Sequence, residues 1–364
     1  MKKNLFAGIV SLVIAASVLS GCAQNSVPEI SGNSQSSASG SDKVSIVCTS
    51  FPQYDWVCRL TDGLEDKFEI TYLQNTGADL HSYQPSAVDI ATIGSSDLFI
   101  YVGGESDSWV EGALKNAVNP DLISISMLDA LGSRVKEEEL KEGMQEDDHD
   151  HNSENHDENH DNAGHDDQDH DSEDYDHDHE EGEVEYDEHV WLSLRNAEAL
   201  TEMIADRIET LAPESADTVK TNCDNYVAEL KALDQEYEKA VEAAPVKTII
   251  FGDRFPFRYL VDDYNLDYYA AFVGCSAETE ASFETISFLT NKVDELQVPA
   301  ILTIENGDQK VAKTILNNTK SKNQQILVID SIQSVSQEAI NGGKTYLGAM
   351  EENLKTLKTA LGLK

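Results

Sequence analysis

Histidine is the residue type whose distribution in this chain points most directly to chemistry. Eight of the ten histidines lie between residues 149 and 179, in a segment composed almost wholly of Asp, Glu, Asn, Ser and Gly. Neutral imidazole is a common nitrogen ligand of zinc, copper and nickel, and carboxylates supply further donors. The segment therefore indicates metal binding, and the imidazoles that it offers are those of His149, His151, His156, His160, His165, His170, His177 and His179.

The His-rich tract, defined here as residues 147–183, is also strongly acidic. Between Glu146 and Glu188 the chain carries 22 of its 68 acidic residues and no lysine or arginine. Such a composition cannot bury enough apolar surface to fold alone, so we expect a disordered, solvated loop that binds ions weakly and many at a time. The alternative is an acidic solubilising linker, but a linker has no reason to carry a histidine every few residues.

His81 and His189 are the only histidines outside the tract, and they are the strongest candidates for a defined metal site. Three carboxylates are further candidates because each follows a predicted strand: Asp253, Glu305 and Asp330. Ligands of open α/β sheets bind outside the carboxyl ends of the strands, where these side chains would lie. Taken singly, a carboxylate at such a place is more commonly a helix N-cap or a surface charge.

The elements that must position these side chains alternate in type from Val44 onward. In the first half, strands are predicted at 44–48, 68–73, 97–102 and 122–126, and helices at 53–64, 86–93 and 108–117. In the second half, strands at 247–251, 267–272, 300–304 and 325–329 alternate with helices at 257–263, 280–296, 309–318 and 345–361. This alternation is typical of βαβ units with parallel sheets.

A long helical region separates the two halves. Residues 196–244 keep a helical apolar spacing, interrupted only at Ala212-Pro213-Glu214. A helix beginning near Pro213 would run for about 30 residues, or roughly 45 Å. We therefore predict an α/β fold with two Rossmann-like (βα) lobes, residues 43–212 and 246–364, joined by a long rigid linker helix over 213–245. Each lobe is large enough to own a core, and the metal site would lie at the lobe interface.

The N-terminus carries the features of an export signal. A short basic head (MKK) precedes an apolar stretch, residues 5–19, that is too short to span a bilayer comfortably. The stretch ends in LSGC, which resembles the lipobox of bacterial lipoproteins. The resemblance implies that residues 1–21 are a signal peptide, that Cys22 is lipidated, and that the Ser/Gly-rich residues 22–42 tether the folded part outside the membrane. A plain secretory signal or a single-span anchor is the competing interpretation.

Net charge and cysteine content narrow the class of protein further. The formal net charge of −42 argues against nucleic acid or an anionic membrane surface as the partner. After Cys22 the chain has four cysteines, and none shows the CxxC spacing of a zinc ribbon. A disulfide between Cys48 and Cys58 is an option outside the cell, but we expect Cys48, Cys58, Cys223 and Cys275 to be buried or free thiols.

Two histidine motifs give the chain a specific resemblance. Residues 75–86 (NTGADLHSYQPS) and 186–192 (YDEHVWL) are similar to two segments of the metal-binding, solute-binding proteins of bacterial zinc and manganese ABC importers. In the zinc members of that family a His-rich loop also precedes the second segment. Residues 258–266 (RYLVDDYNL) match the aromatic helix of the family, and residues 330–332 (DSI) match the position of its last carboxylate. The similarity extends over about residues 44–363.

The resemblance implies two α/β lobes with one metal site between them. His81 and His189 would be ligands from the first lobe, and Asp330 a ligand from the second. The third position holds a histidine in zinc members and a glutamate in manganese members.

In this chain the third position falls in residues 251–257 (FGDRFPF), where Asp253 is the best-placed donor. Arg254 or Arg258 could instead pair with Asp253, which would leave water or Glu305 to complete the site.

The tract favours zinc over manganese. A site of two imidazoles with carboxylates can bind either ion. Manganese binds imidazole weakly compared with the other divalent metals, so a His-rich tract would bind manganese poorly. Nickel and copper stay open, although the sequence offers no methionine cluster for Cu(I).

The predicted function is the capture of extracellular Zn²⁺ and its delivery to an ABC permease with its ATPase subunit. The chain would act as a monomer, extracytoplasmic and anchored in the cell membrane through the lipid on Cys22, and would not be an enzyme. A manganese-binding importer component and a surface adhesin of the same fold are the alternatives. A secreted zinc hydrolase is a different class, but the chain has no HExxH motif and the implied site has no open position.

Overall fold

The strands of the first half form one parallel sheet. The computed structural model describes residues 43–145, 185–276 and 280–363, so the predicted leader, Cys22, the tether and the His-rich tract lie outside the described residues. The strands of this sheet are β1 (Val44–Cys48), β2 (Phe68–Tyr72), β3 (Leu98–Tyr101) and β4 (Ile123–Ser126). They lie in the order β2-β1-β3-β4, and all pairs are parallel.

Helices connect these strands as the sequence predicts. They are α1 (Phe51–Leu60), α2 (Ala87–Ser95) and α3 (Val110–Lys115), with an additional short α4 (Met127–Leu131). Ser86 caps α2 through a capping box with Asp89, whose carboxylate accepts a hydrogen bond from the Ser86 N–H at 2.7 Å. Helix α4 was not predicted from the sequence, because five residues are too few to show a helical period.

Two helices follow the tract. Helix α5 (Leu194–Leu211) ends before Pro213, and helix α6 (Ala216–Ala243) runs for 28 residues, close to the predicted length. Helix α6 contacts α1 of the first half and later helices of the second half, so it joins the two halves as the predicted linker does.

The second half repeats the α/β alternation. Its strands are β5 (Thr248–Ile250), β6 (Arg254–Phe255), β7 (Asp267–Tyr269), β8 (Phe272–Val273), β9 (Ala300–Thr303) and β10 (Gln325–Val328). The parallel pairs are β5–β7, β9–β10 and β6–β8, and a parallel bridge between Phe251 and Leu302 links β5 to β9. Its helices are α7 (Arg258–Tyr264), α8 (Phe283–Leu296), α9 (Lys310–Asn318), α10 (Gln337–Asn341) and α11 (Tyr346–Ala360). The predicted fold class, α/β with parallel sheets in two halves, is confirmed.

The largest hydrophobic core differs from the expectation that each lobe owns one. A single cluster contains buried side chains of both halves, including Trp56, Trp191 and Tyr346. The rings of Trp56 and Tyr346 meet edge to face at 5.2 Å, and the Tyr346 hydroxyl donates to the Trp191 carbonyl at 2.6 Å. Smaller clusters belong to one half each. The two halves therefore share one hydrophobic core, and separating them would expose its apolar side chains to water.

The four cysteines in the described part of the chain are free thiols, so no Cys48–Cys58 disulfide is formed. Among the described residues there is also no helix with the length and apolar character needed to span a bilayer.

Candidate metal centre

The structure brings His81 and His189 together. His81 lies in the 3-10 turn Leu80–Ser82 beyond the carboxyl end of β2, and the Asp79 carboxylate accepts a hydrogen bond from the His81 N–H at 3.1 Å. His189 directly precedes the 3-10 turn Val190–Leu192. The Nε2 atoms of the two rings are 3.2 Å apart. Two imidazoles with Nε2 atoms at this distance can bind one ion between them.

His189 is fully buried and tightly oriented. Its Nδ1 lies 3.0 Å from Asp187 Oδ1, which also accepts the His189 backbone N–H at 2.8 Å. A carboxylate at Nδ1 fixes the ring tautomer and leaves the Nε2 lone pair facing the other imidazole. Burial disfavours a charge on this ring, but the carboxylates of Asp187 and Glu188 outweigh burial and raise the pKa of His189. The raised pKa favours a proton on this ring, and a metal ion that binds the ring nitrogen must displace it.

His81 is held in a similar way through its Nδ1. The Ser106 hydroxyl oxygen lies 2.9 Å from this nitrogen, and Glu188 Oε2 lies 3.5 Å from it. Burial, reinforced by the charge on His189, lowers the pKa of His81 to about 3, while burial raises the pKa of Glu188 to about 7. The His81 ring is thus neutral at ordinary pH and offers a lone pair.

Gln333 places an amide oxygen next to the imidazole pair, which sequence reasoning missed. Its amide nitrogen donates to Asp79 Oδ2 at 3.1 Å, so its Oε1 is the atom that faces His189 Nε2 at 3.0 Å. The residue lies just beyond the DSI segment at 330–332, but a neutral amide gives no sequence signal for metal binding. With both Nδ1 positions satisfied by their own partners, the His81 Nε2 and the Gln333 amide oxygen both face His189 Nε2.

Cys275 is the second residue that sequence reasoning missed. Among the described residues, the ligand atoms of His81, His189 and Cys275 form the one group of this kind in which all atoms lie within 4.8 Å of one another. Cys275 follows β8, its N–H donates to Glu138 Oε1 at 3.0 Å, and burial raises the pKa of its thiol well above the ordinary value. The sequence gives no signal for it because the cysteine has no CxxC partner.

Asp330 lies outside that group, and its carboxylate has other partners. Its Oδ1 accepts the Ile332 N–H at 2.8 Å, and its Oδ2 is paired with the Lys344 ammonium. Glu305, the residue named as an optional donor, accepts from the Ser331 N–H at 2.7 Å and from the Ser331 hydroxyl at 2.6 Å. Burial, together with the nearby Asp330 charge, raises the pKa of Glu305.

Asp253 is likewise occupied by the backbone. Its Oδ1 accepts the Arg254 N–H at 2.9 Å and its Oδ2 the Ile304 N–H at 3.3 Å, and burial raises its pKa. The Arg254 guanidinium pairs with Asp79 at 2.7 Å rather than with Asp253, and Arg258 pairs with Glu139 at 3.4 Å and with its helix neighbour Asp262 at 3.8 Å.

A cavity of about 910 Å³ opens beside the imidazole pair, with walls from both halves of the chain. His81 lines it, whereas the buried His189 lies behind. The charged residues on its walls are the acids Asp79, Asp253, Glu280, Glu305 and Asp308 and the bases Arg254 and Lys310. The excess of acids favours entry of a cation.

A cleft between two halves with parallel sheets, in which imidazoles face one another, is the architecture of a metal-binding solute-binding protein. The family described as "ZnuA: Zinc-uptake complex component A periplasmic" matches residues 46–360, and the chain belongs to this family.

The relatives named for zinc fall into two size classes. The chain is 29% identical over 317 residues to the "Zinc-binding lipoprotein AdcA" of Streptococcus pneumoniae serotype 4, a match that covers 87% of this chain and 55% of that protein. It therefore spans about half the length of the AdcA proteins. It is 27% identical over 336 residues to the "High-affinity zinc uptake system protein ZnuA" of Bacillus subtilis, a match that covers 92% of this chain and 93% of that protein.

Solved structures match over the described fold. The Zn(II)-bound ZnuA-like domain of Streptococcus pneumoniae AdcA has a TM-score of 0.62 at 25% identity, and the match covers 88% of this chain and 99% of that one. A mutant of the laminin-binding adhesin Lmb from Streptococcus agalactiae has a TM-score of 0.66 at 21% identity, covering 87% of this chain and 99% of that one, which shows a shared fold.

Proposed function

We propose that this chain captures Zn²⁺ outside the cytoplasm and passes it to the permease of an ABC importer. The observation that carries the proposal is the meeting of the His81 and His189 Nε2 atoms at 3.2 Å. Tetrahedral zinc with Zn–N bonds of about 2.0–2.1 Å needs its two nitrogens roughly 3.3–3.4 Å apart. The imidazole pair therefore has zinc spacing before any ion is bound.

Capture requires ring nitrogens that are free of protons. The acidic cavity draws the cation toward His81, and the ion binds between the two Nε2 atoms once any proton there has left. Asp187 on His189 and Ser106 on His81 hold the outer ring nitrogens, so the rings need not turn when the ion arrives.

The proposal that the chain works with an ABC importer is also supported by its family and by its N-terminal sequence. The names of the AdcA and ZnuA relatives refer to zinc binding and zinc uptake. Lipidation of Cys22 would hold the chain at the outer face of the membrane, next to a permease and its ATPase subunit. No bond of a substrate is made or broken in the proposed function, which is therefore binding and transfer rather than catalysis.

Zinc binding is tested on the full chain by titration against a chelator strong enough to mask weak sites. We expect one tight zinc equivalent, and we expect it to be lost in His81→Ala and His189→Ala. The matched control is His165→Ala, which removes an imidazole from the tract and should keep the tight equivalent. Wild-type affinity in both cleft variants would refute the proposed function.

An adhesin role is the second candidate, because the Lmb adhesin shares the fold. A strain lacking the gene separates the two roles. If the protein serves import, the strain should grow slowly at low zinc and recover when zinc is added. If it serves adhesion, the strain should grow normally at low zinc and attach more weakly to laminin.

A further inference from the structure

We propose that Cys275 is the third protein ligand of the zinc ion and binds it through its thiolate sulfur. The proposal rests on the proposed zinc function and deepens it by naming a ligand that changes the chemistry of the site. Its basis is the group formed by His81, His189 and Cys275, whose ligand atoms all lie within 4.8 Å of one another.

The sulfur lies within reach of a tetrahedral ion. Zn–S and Zn–N bonds of about 2.3 Å and 2.0–2.1 Å place sulfur and nitrogen roughly 3.6 Å apart in a tetrahedron. Because no pair of ligand atoms in the group is more than 4.8 Å apart, the thiol needs to move by at most about 1 Å to bind.

Gly274, directly before Cys275, lets the backbone of this loop lie close to the His189 ring. A Cβ atom added at Gly274 would lie 3.0 Å from the Phe255 carbonyl oxygen and 3.3 Å from His189 Cε1. A side chain there would crowd both atoms, so the glycine lets the loop pack closely against the His189 ring. The hydrogen bond from the Cys275 N–H to Glu138 at 3.0 Å anchors the loop on its other side.

The carboxylates that might compete for this position already have partners. Lys344 neutralises Asp330, two backbone N–H groups occupy Asp253, and Ser331 binds both oxygens of Glu305. Breaking these contacts would leave partly buried polar groups without partners, which is unfavourable. Within the described part of the chain, recruiting Cys275 breaks the bond of its thiol to Glu138.

Binding of the thiol conserves charge and protons. The S–H bond breaks, a Zn–S bond forms, and the proton passes to the Glu138 carboxylate, to which the thiol is hydrogen-bonded, or to water. Gln333 Oε1, 3.0 Å from His189 Nε2, is the nearest further donor and would complete a sphere of two nitrogens, one sulfur and one oxygen. A thiolate is a soft ligand, so it favours zinc and disfavours manganese.

X-ray absorption at the zinc edge tests the proposal directly. The full chain is loaded with less than one equivalent of Zn²⁺ under a thiol-free reductant, so that the tight site fills first. We expect a sulfur neighbour at about 2.3 Å beside nitrogen and oxygen neighbours at about 2.0–2.1 Å. We expect Cys275→Ser to lose the sulfur signal and Cys58→Ser, a partly buried cysteine of α1, to keep it.

Affinity gives a second readout. We expect Cys275→Ser to weaken zinc binding by more than the roughly 100-fold that marks the upper range for loss of an outer partner. Co²⁺ bound to the wild type should show a thiolate charge-transfer absorption that Cys275→Ser lacks.

The outcomes separate the two proposals. A tight zinc site that depends on His81 and His189 but shows no sulfur would overturn the role of Cys275 and leave the proposed function intact. A sulfur signal that survives Cys275→Ser would assign the ligand to another thiol and would also overturn it. Absence of any tight site in the wild type would instead overturn the proposed function. The wild-type spectrum decides the matter even if a variant fails to fold.

Discussion

Replacement of Asp187 tests whether the carboxylate behind His189 tunes the metal site. Asp187 Oδ1 accepts two hydrogen bonds, from the His189 N–H at 2.8 Å and from Nδ1 at 3.0 Å. An asparagine carbonyl can accept both, so Asp187→Asn removes the charge and retains the geometry, whereas Asp187→Ala removes both. Loss of such a partner typically weakens metal binding by about 10–100-fold.

We expect two backbone hydrogen bonds to hold residue 187 in place in either variant. The Tyr259 hydroxyl donates to the Asp187 carbonyl at 2.7 Å, and the Asp187 N–H donates to the Lys136 carbonyl at 2.9 Å. We therefore expect a loss of about tenfold for Asp187→Asn, or roughly 1.4 kcal/mol, and of nearly 100-fold for Asp187→Ala.

Competition with a fluorescent zinc chelator at constant pH measures both losses. Asp55→Asn is the matched control, because Asp55 is also a buried carboxylate that accepts a backbone N–H, from Tyr346 at 3.0 Å, but lies on α1 and has no contact with either imidazole. If Asp187→Ala binds zinc as tightly as the wild type, His189 does not bind the ion through Nε2 in the way that its tautomer requires.

Three further predictions concern the tract, the cleft and pH. Deletion of residues 147–183 should remove the weak metal equivalents seen by calorimetry and leave one tight site; loss of the tight site would contradict the proposed division of roles. Small-angle scattering of that deletion variant should give nearly the same radius of gyration with and without zinc, since both halves share one core, and a clear compaction would contradict this. Acidification from about pH 8 to about pH 5 should weaken zinc binding but raise the melting temperature of the metal-free chain. Burial raises the pKa of Asp55 to about 6 and of Glu188 to about 7, so the stability linked to these carboxyls is present at low pH and is lost as pH rises through those values. The lowered pKa of His81 has the opposite effect, because acidification protonates this ring in the unfolded chain before it does so in the folded chain. A melting temperature that falls on acidification would show that the His81 effect is larger than that of the two carboxyls.

Local sequence signals account for the elements and for the imidazole pair. The run VSIVC at residues 44–48 forms β1 because β-branched residues buried on both faces suit a parallel sheet. The interruption at Pro213 places the boundary between α5 and α6. His81 and His189 were identifiable because no other histidine lies outside the tract and because each belongs to a recognisable motif.

The rest of the site depends on contacts between residues distant in sequence. Cys275 becomes a candidate ligand only because the fold brings it next to His189, which is far from it along the chain. Asp330 follows β10 closely, but its pairing with Lys344 is a tertiary contact that strand patterns do not encode. A neutral amide such as Gln333 has no sequence feature that distinguishes it as a donor.

Exchange of the ion should take place on the His81 side of the cleft. His189 and Gln333 lie on segments tied together by buried hydrogen bonds, since the Trp191 indole donates to the Ser331 carbonyl at 2.9 Å above the shared core. Separating them would leave buried polar groups without partners. His81 instead lines the cavity, and the salt bridge that joins its turn to the second half, between Asp79 and Arg254, is partly exposed. Water already reaches this pair, so we expect the ion to enter and leave past His81 while the shared core stays closed.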